Sequence, residues 1–396
     1  MPKLAIEGGQ PVRAKPFPSW PVWDENELNA LKDVLESGQW GLSSSKIDEF
    51  EQKYAQYVGV KHAICVTSGT VALQVALKAA DIKSDDEVII PPYTFMATAV
   101  AVLISNAIPV FADIDPETYN IDPLAAEKAI TSKTKAIIPV HVAGCPADMD
   151  SIMEVAKKHS LIVIEDAAQA HAAEWRGKKV GGIGDIGCFS FQASKNLNAG
   201  EGGIITTNSD DMADICWAYH NCGRTKGASR HETHFMGANF RMTAWQASIL
   251  LAQMKRLDEQ TAIRNRNGIY LSEKLSEIDG IKPAKRDSRV TAHAYHLYVF
   301  RYDSSKFGGK TKAQFLQALS AEGIPCSPGY SPLYKSDLFK AAGCDIDYEN
   351  TETCPVTESI CRDEAVWLYQ TMMLATKEDM DDIISAIKKI KENFVQ

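Results

Sequence analysis

Hydrophobic positions along the chain form short continuous runs that are separated by stretches with helical spacing. From residue 62 onward, seven runs are typical of strands: HAICVTS, EVIIPPY, IPVFADI, KAIIPVHV, LIVIEDAA, CFSF and GGIITT. Segments with helical periodicity lie between them, for example TVALQVALKAA and MDSIMEVAKKHS. This alternation predicts an α/β fold, in which a mostly parallel sheet carries helices on both faces.

The first sixty residues predict an extended arm followed by two helices. The arm, GGQPVRAKPFPSWPVWD, contains four prolines and two tryptophans, which suits an extended segment packed on a surface. Asp24 can cap the first helix and Gly38 can end it. The inner face of this helix is expected to consist of Leu28, Leu31, Val34 and Leu35. The second helix carries apolar residues at helical spacing at Ile47, Phe50, Tyr54 and Tyr57.

The last third of the chain predicts a smaller α+β unit. A long helix over 243–275 is expected to link it to the sheet. Then come a strand in AYHLYVFRY, a helix in KTKAQFLQALSAEG, a loop in CSPGYSPLY and two final helices. We therefore expect an arm with a large α/β domain over 1–264 and a small α+β domain over 265–396. A length of 396 residues agrees with two domains.

Composition excludes several classes of protein. The hydrophobic fraction of 45% is that of a globular protein, and a net charge of -9 argues against nucleic-acid binding. No run of 18 apolar residues predicts a transmembrane helix, and the N-terminus does not resemble a signal peptide. Nine cysteines form no CxxC pair, so we expect no zinc site and reduced thiols in a cytoplasm.

Polar residues follow several predicted strands, where ligands bind in open α/β sheets. The first group is Ser68, Gly69 and Thr70, which end a strand and open a helix. Free amide groups at a helix N-terminus favour an anion, and the two hydroxyls add donors. The alternative is a plain helix cap.

A second group ends the strand LIVIED. A carboxylate there is unfavourable unless it is paired, so Asp166 either holds a cationic ring nitrogen or makes structural hydrogen bonds. Gln169, one turn further on, would face the same pocket. His171 is either a ligand contact or a structural histidine.

The third group is Lys195, which lies between CFSF and a glycine cluster, GEGG. A lysine in a desolvated pocket has a lowered pKa and becomes a nucleophilic amine that can form a Schiff base. The glycines allow tight backbone near a bulky ligand, and Ser190 could add a phosphate donor. An anion site, a buried aspartate and a lysine are together what pyridoxal phosphate (PLP) requires.

The chain resembles the DegT/DnrJ/EryC1/StrS family of PLP-dependent sugar aminotransferases. The resemblance rests on TSGTVAL, PPYTFMATA, PVFADIDPETYNID, IIPVHVAG, IEDAAQAH, GDIGCFSF, SKNLNAGEGG and ANFRMTAWQASILLAQ. It implies the fold-type I architecture of aspartate aminotransferase. It also implies a ping-pong transfer of an amino group from glutamate or glutamine to a keto sugar or keto-cyclitol.

The resemblance also implies roles for individual residues. Lys195 would be the Schiff-base lysine, Asp166 would pair with the pyridinium nitrogen, and Gln169 would contact the ring hydroxyl. Phe95 would stack on the ring. Gly69, Thr70 and Ser190 would bind the phosphate. Asn239 would reach the phosphate of the neighbouring subunit's cofactor, which implies a homodimer with shared sites.

Two departures from the family pattern concern the substrate. The chain has QASK where nucleotide-sugar members often have HPxK, and GYSPLY at 329–334 where the family has HYxPLH. The N-terminal segment and EAVWLYQTMMLA look more like the branch that acts on keto-cyclitols such as scyllo-inosose. Two alternatives are a PLP-dependent sugar dehydratase, against which Lys195 argues because that branch has histidine there, and a non-catalytic regulatory protein that retains the fold.

Overall fold

The computed structural model of the protein describes residues 2–227, 232–233, 235–342 and 353–395. Its strands are β1 (His62–Val66), β2 (Glu87–Ile90), β3 (Ile108–Phe111), β4 (Thr134–Ile137), β5 (Ile162–Asp166), β6 (Glu174–Trp175), β7 (Lys178–Lys179), β8 (Ile186–Ser190), β9 (Gly203–Thr207), β10 (Ile281–Pro283), β11 (Val290–Ala292), β12 (Leu297–Tyr302) and β13 (Ala365–Tyr369). Its α-helices are α1 (Glu25–Ser37), α2 (Ser45–Val58), α3 (Gly69–Ala79), α4 (Ala97–Ile104), α5 (Pro123–Lys128), α6 (Met149–His159), α7 (Asp210–His220), α8 (Ala244–Ser276), α9 (Lys312–Ala321), α10 (Leu338–Ala341), α11 (Pro355–Ser359) and α12 (Lys377–Phe394).

The central sheet has seven strands in the order β1-β9-β8-β5-β4-β2-β3. The pairs from β8 to β3 are parallel, and β9 runs antiparallel between β8 and β1. All seven predicted strand runs are therefore present. The carboxyl ends of β1, β5 and β8 meet at one edge of the sheet, because β1 and β8 are both antiparallel to β9.

The sheet is buried on both faces, as its apolar runs predict. One face packs on α3, α4 and α7 through residues such as Val75, Ile90 and Ile164. The other face is covered by separate clusters that include Phe50 from α2 and Ile152 from α6. This packing explains why apolar and polar residues do not alternate in LIVIE, since both faces of β5 are covered by protein.

The first helix is capped as expected, but its inner face was predicted wrongly. Asp24 forms a capping box with Glu27, and Gly38 ends the helix in the left-handed conformation. Val34 is buried, whereas Leu28 and Leu35 are 52% and 57% exposed. Helix α1 packs on α8 along a narrow stripe that contains Glu27 and Val34. Positions 28 and 35 each lie about 100° further round the helix and leave this contact.

The C-terminal part is built on a three-stranded sheet, β10-β12-β13, and a further short sheet has the strand order β11-β6-β7. The expectation of two final helices was incomplete, because the strand β13 precedes α12. EAVWLYQ is short and apolar, and β13 pairs with β12 over five residues. Helix α8 runs without interruption through residue 265, so the division into 1–264 and 265–396 stays a prediction.

Several features bear on class and location. None of the helices in the described ranges is both long enough and apolar enough to cross a membrane. Within those ranges no cluster of histidine, cysteine and carboxylate side chains could hold a metal ion. Eight of the nine cysteines have free thiols, and Cys344 lies outside the described residues.

Candidate active site

One pocket of ≈ 430 Å³ opens at the edge of the sheet where β1, β5 and β8 end. Eight of the nine predicted site residues line it: Ser68, Gly69, Thr70, Phe95, Asp166, Gln169, Ser190 and Lys195. The ninth, Asn239, lies elsewhere. The structure thus brings together groups that the sequence separates by more than a hundred residues.

The N-terminus of α3 forms one wall of the pocket. Ser68 caps the helix, and its Oγ accepts a hydrogen bond of 3.2 Å from the Val71 amide. Ser68 can cap the helix while the same turn binds an anion, because the amides of Gly69 and Thr70 in the first turn have no helical acceptor. These amides and the positive end of the helix dipole can hold a phosphate.

Two glycines make this wall possible. A Cβ on Gly69 would stand 2.7 Å from the Cβ of Ser190, and one on Gly203 would stand 2.4 Å from the carbonyl oxygen of Ser68. Both distances are shorter than any tolerated contact. The glycines were expected to make room for a ligand. Gly203 instead lets strand β9 approach the start of α3, which draws the helix N-terminus against Ser190.

Asp166 is the last residue of β5 and is 5% exposed. Its Oδ2 accepts a hydrogen bond of 2.8 Å from the Thr98 hydroxyl, and its Oδ1 accepts one of 3.2 Å from the Ala168 amide. Burial raises the pKa of Asp166, while these hydrogen bonds and the charge of Lys195 oppose the rise. A buried carboxylate with a free edge toward the pocket is suited to a cationic partner, which would favour its ionised form.

The neighbouring carboxylate, Glu165, faces away from the pocket, since successive side chains of a strand point to opposite faces. It accepts hydrogen bonds from His141 Nε2 at 3.0 Å and from the amides of Gly181, Ile183 and Gly184, each at 2.7 Å. Burial alone would raise the pKa of Glu165, but these donors hold it below its ordinary value. Glu165 is therefore a structural anchor of the loop after β7.

Lys195 enters the pocket from a turn after β8. Its amide donates to the carbonyl of Gln192 at 2.8 Å, which closes the turn. Its ammonium makes no hydrogen bond or ion pair with any residue in the described ranges. Burial lowers the pKa of Lys195 to about 8, and the charge of Asp166 opposes this change. With a pKa of about 8, roughly a tenth of the amine is unprotonated at pH 7, far more than for an ordinary lysine, as a nucleophile or a base requires.

Two neutral side chains, Gln169 and Phe95, line a further part of the pocket. Gln169 Oε1 accepts from the Ala143 amide at 2.8 Å, and Gln169 Nε2 donates to the Tyr330 hydroxyl at 3.0 Å. These bonds fix the amide with one N–H left over. Phe95 is 55% exposed at the pocket, although it is a large apolar residue. An exposed ring beside a polar pocket is suited to stacking on a flat ligand.

The structure decides between the two roles considered for His171. Its Nε2 donates to the Ser190 carbonyl at 2.7 Å, its Nδ1 accepts from Tyr54 at 3.0 Å, and its ring stacks on Phe191. It is fully buried, and burial lowers its pKa to about 4. His171 is a neutral structural histidine that holds the end of β8 through the Ser190 carbonyl.

Other pocket residues were not singled out from the sequence: Thr94, Gln192, Ser194, Glu201, His296 and Tyr330. The same is true of Thr98, which supports Asp166 from α4. The signal for Thr98 was its place in PPYTFMATA, the motif that also contains Thr94 and Phe95. Thr94 precedes α4, and its hydroxyl lies 3.1 Å from that of Thr98. Tyr330 lies in GYSPLY, which was compared with the family motif but not assigned a role. His296 had no signal, since only the tertiary fold brings it to the pocket.

Asn239 lies in a separate surface recess with Leu42, Arg224, Arg241 and other residues of the same region. It forms an isolated bridge with Asn221. Within one chain it does not line the pocket that holds Lys195. This geometry does not support a contact with the cofactor of the same subunit, and a role toward a second subunit stays a prediction.

Comparison with known proteins gives a consistent result over the whole chain. The family model described as DegT/DnrJ/EryC1/StrS aminotransferase family matches residues 21–388. The L-glutamine:2-deoxy-scyllo-inosose aminotransferase of Streptoalloteichus tenebrarius is 37% identical over 98% of this chain and 97% of its own.

Solved structures agree with the sequence match. The crystal structure of 3-amino-5-hydroxybenzoic acid synthase has a TM-score of 0.90 and 34% identity, over 96% of this chain and all of that one. DesV of S. venezuelae, solved with a ketimine intermediate, has a TM-score of 0.85 and 29% identity, over 96% and 99%.

Proposed function

The chain belongs to the DegT/DnrJ/EryC1/StrS aminotransferase family, and from this premise we propose that it is a PLP-dependent enzyme that moves an amino group from glutamine, or glutamate, to a keto-cyclitol. The chain is an aminotransferase with the α/β fold of that family. The observation that carries the proposal is the meeting of Lys195, Asp166 and the start of α3 around one pocket.

The residues present fit pyridoxal phosphate. The start of α3 (Ser68, Gly69, Thr70), together with Ser190, offers amide and hydroxyl donors to a phosphate. Asp166 offers a buried carboxylate to a pyridine nitrogen, and Phe95 offers an exposed ring for stacking. Gln169 keeps one N–H for the ring hydroxyl. When bound, the cofactor supplies a carbonyl carbon for the amine and a ring that accepts electrons.

Each residue then has a defined task. Lys195 Nζ would hold the cofactor and, as a free amine, would take the proton from Cα of the amino donor. A pKa of about 8 suits both tasks near neutral pH. Asp166, fixed by Thr98 and the Ala168 amide, keeps a proton on the ring nitrogen. Because donor and acceptor use the same residues in turn, ping-pong kinetics follow.

The charges in the pocket favour a neutral acceptor. Among the described lining residues, Lys195 is the only cation at neutral pH, because burial holds the pKa of His296 well below its usual range. Gln192, Ser194 and Tyr330 offer hydrogen bonds that match ring hydroxyls. A nucleotide-linked sugar would bring two further phosphate charges that no side chain of this pocket neutralises. The name of the Streptoalloteichus relative, with glutamine as donor and a keto-cyclitol as acceptor, supports the same choice.

We further propose a homodimer with shared sites in a cytoplasm. Apolar side chains stay exposed on and near α1: Trp23, Leu28, Leu35, Trp40 and Leu42. Leu42 also lines the recess of Asn239. A second subunit seated on this surface would cover the apolar groups and could carry Asn239 to the phosphate end of its partner's pocket. The eight free thiols support a reducing compartment.

The test is a matrix of acceptors and donors. Purified protein is incubated with keto-cyclitols and nucleotide-linked keto sugars, each with glutamine and with glutamate, and aminated products are measured by mass spectrometry. We expect amination of a keto-cyclitol with glutamine, and none by Lys195→Ala. If only nucleotide-linked keto sugars were aminated, the proposal of a keto-cyclitol acceptor would be wrong. Dehydrated products would favour the dehydratase alternative, and a protein that binds PLP without turnover would favour the regulatory one.

A further inference from the structure

The two backbone carbonyls that precede Lys195 accept hydrogen bonds from side chains distant in sequence. Trp20 Nε1 donates to the Ala193 carbonyl at 2.9 Å. Gln370 Nε2 donates to the Ser194 carbonyl at 2.8 Å. Trp20 belongs to the N-terminal arm, and Gln370 follows directly after β13. The turn that carries the lysine is therefore held from outside by two donors that belong to neither β8 nor β9.

Both donors meet at Arg264, a residue in the middle of α8. Its Nη2 donates to Gln370 Oε1 at 2.5 Å, and its guanidinium lies 5.4 Å from the centre of the Trp20 ring. Arg264 is completely buried, and its Nε and Nη1 have no partner in the described residues. Burial lowers its pKa to about 9.

This placement is unfavourable for folding. A buried guanidinium normally has a carboxylate partner, and an amide oxygen compensates much less of the desolvation. Stability of the fold alone therefore does not explain why a charge is held here. An explanation has to come from what the charge does to its neighbours.

The chemistry of the two groups gives that explanation. A guanidinium has donors and no acceptor, so the amide of Gln370 must turn its oxygen toward Arg264. Its nitrogen then has one direction left, toward the Ser194 carbonyl. We infer that Arg264, acting through Gln370, is a positioning residue that fixes the Gln192–Lys195 turn and so the reach of Lys195 into the pocket.

The consequence for catalysis rests on the proposed function. Lys195 Nζ has to reach the cofactor and then the Cα of the donor, and displacement by about 1 Å can reduce a rate by about a hundredfold. The consequence for the turn does not depend on any cofactor. The two can therefore be measured separately.

Gln370→Glu separates positioning from stability. The introduced carboxylate would give Arg264 an ionic partner, which favours folding, but it has no N–H for the Ser194 carbonyl. Hydrogen exchange of the peptide that covers 191–199, measured on cofactor-free protein, should become about two- to tenfold faster, as expected for the loss of one hydrogen bond. Stability against urea should be unchanged or higher. In the loaded enzyme kcat should fall about ten- to a hundredfold, with KM changed less than threefold.

Asn267→Asp is the matched control on the same helix. The Asn267 amide donates to the carbonyls of Met373 and Ala375, at 2.9 and 2.7 Å, and not to the lysine turn. This variant should lose stability without faster exchange at 191–199. If the peptide exchanged faster in Asn267→Asp as well, the effect would be a general loosening and the inference would be wrong.

The double variant Arg264→Met/Gln370→Met covers the case in which the Gln370→Glu substitution prevents folding. An apolar pair of similar volume leaves no buried unpaired charge, and the Ser194 carbonyl again loses its donor. Faster exchange at 191–199 in a folded double variant supports the inference, and exchange at the wild-type rate overturns it. Since exchange is measured without cofactor, this outcome is distinct from failure of the proposed function, which would show as absent turnover in the wild type.

Discussion

Lys195→Met should make the cofactor-free protein more stable at pH 7. Burial lowers the pKa of Lys195 from 10.5 to about 8 in the folded chain. Each pKa unit corresponds to about 1.4 kcal/mol, so holding this ammonium in the pocket lowers the free energy of unfolding by about 3 kcal/mol. Methionine has a similar length and no charge, and therefore removes the penalty.

The pH dependence gives the sign of the effect. Between pH 8 and pH 10.5 the unfolded chain binds more protons at this lysine than the folded chain does. The free energy of unfolding of the wild type therefore rises with pH across this window. Below pH 8 the lysine is charged in both the folded and the unfolded chain, so the whole cost of burying the ammonium is present. The advantage of the variant should shrink by about 3 kcal/mol between pH 7.5 and pH 10.5.

The assay is urea unfolding of both proteins in cofactor-free form, because bound cofactor would stabilise only the wild type. Lys32→Met is the control, since Lys32 is a surface residue whose side chain is 67% exposed. It should change stability by less than about 0.5 kcal/mol at any pH. Two results would refute the claim that Lys195 is desolvated in the folded chain. One is a Lys195→Met variant that is less stable than wild type at pH 7, and the other is a gain in stability that does not depend on pH.

Three further predictions concern Glu165, Asp166 and Asn239. Glu165→Gln should lower the free energy of unfolding by about 3–5 kcal/mol, because two of its four hydrogen-bond donors would face an amide nitrogen; a loss under about 1 kcal/mol in urea would show that Glu165 is not an anchor. Asp166→Asn should keep its stability within about 1 kcal/mol, since its oxygen can accept from the Ala168 amide while the Thr98 hydroxyl turns to accept from the new amide nitrogen, but should lose most transaminase activity; activity within a few-fold of wild type would remove Asp166 from its role. Mixing inactive Lys195→Ala with an Asn239→Ala variant should restore partial activity after subunit exchange, because one site of a mixed dimer is then intact; no restoration would place Asn239 outside its partner's site.

Much of the fold follows from local pattern in the sequence. The seven sheet strands and α3 are predicted because each is a continuous apolar run or a regular helical repeat. The strand β13 was missed because EAVWLYQ is too short to distinguish from a helix by its spacing. Leu28 and Leu35 were misplaced because periodicity shows which residues are apolar and not how wide the contact with α8 is.

The site was predictable where chemistry coincides with a strand end. Asp166 and Ser190 each end a strand and Lys195 follows one, so one topological rule placed them together. The groups that support them carry no such signal. Gln370 stands 176 residues from the carbonyl that it binds, and its role appears only once β13 is paired with β12.

The central claim is that Lys195 is the residue that holds pyridoxal phosphate. The direct test is to load the purified wild-type protein with PLP, reduce it with borohydride, and locate the fixed phosphopyridoxyl group by peptide mass mapping. We expect the group on Lys195 Nζ, in near-stoichiometric amount. A phosphopyridoxyl group on a different lysine, or only scattered labelling of surface lysines, would contradict the account.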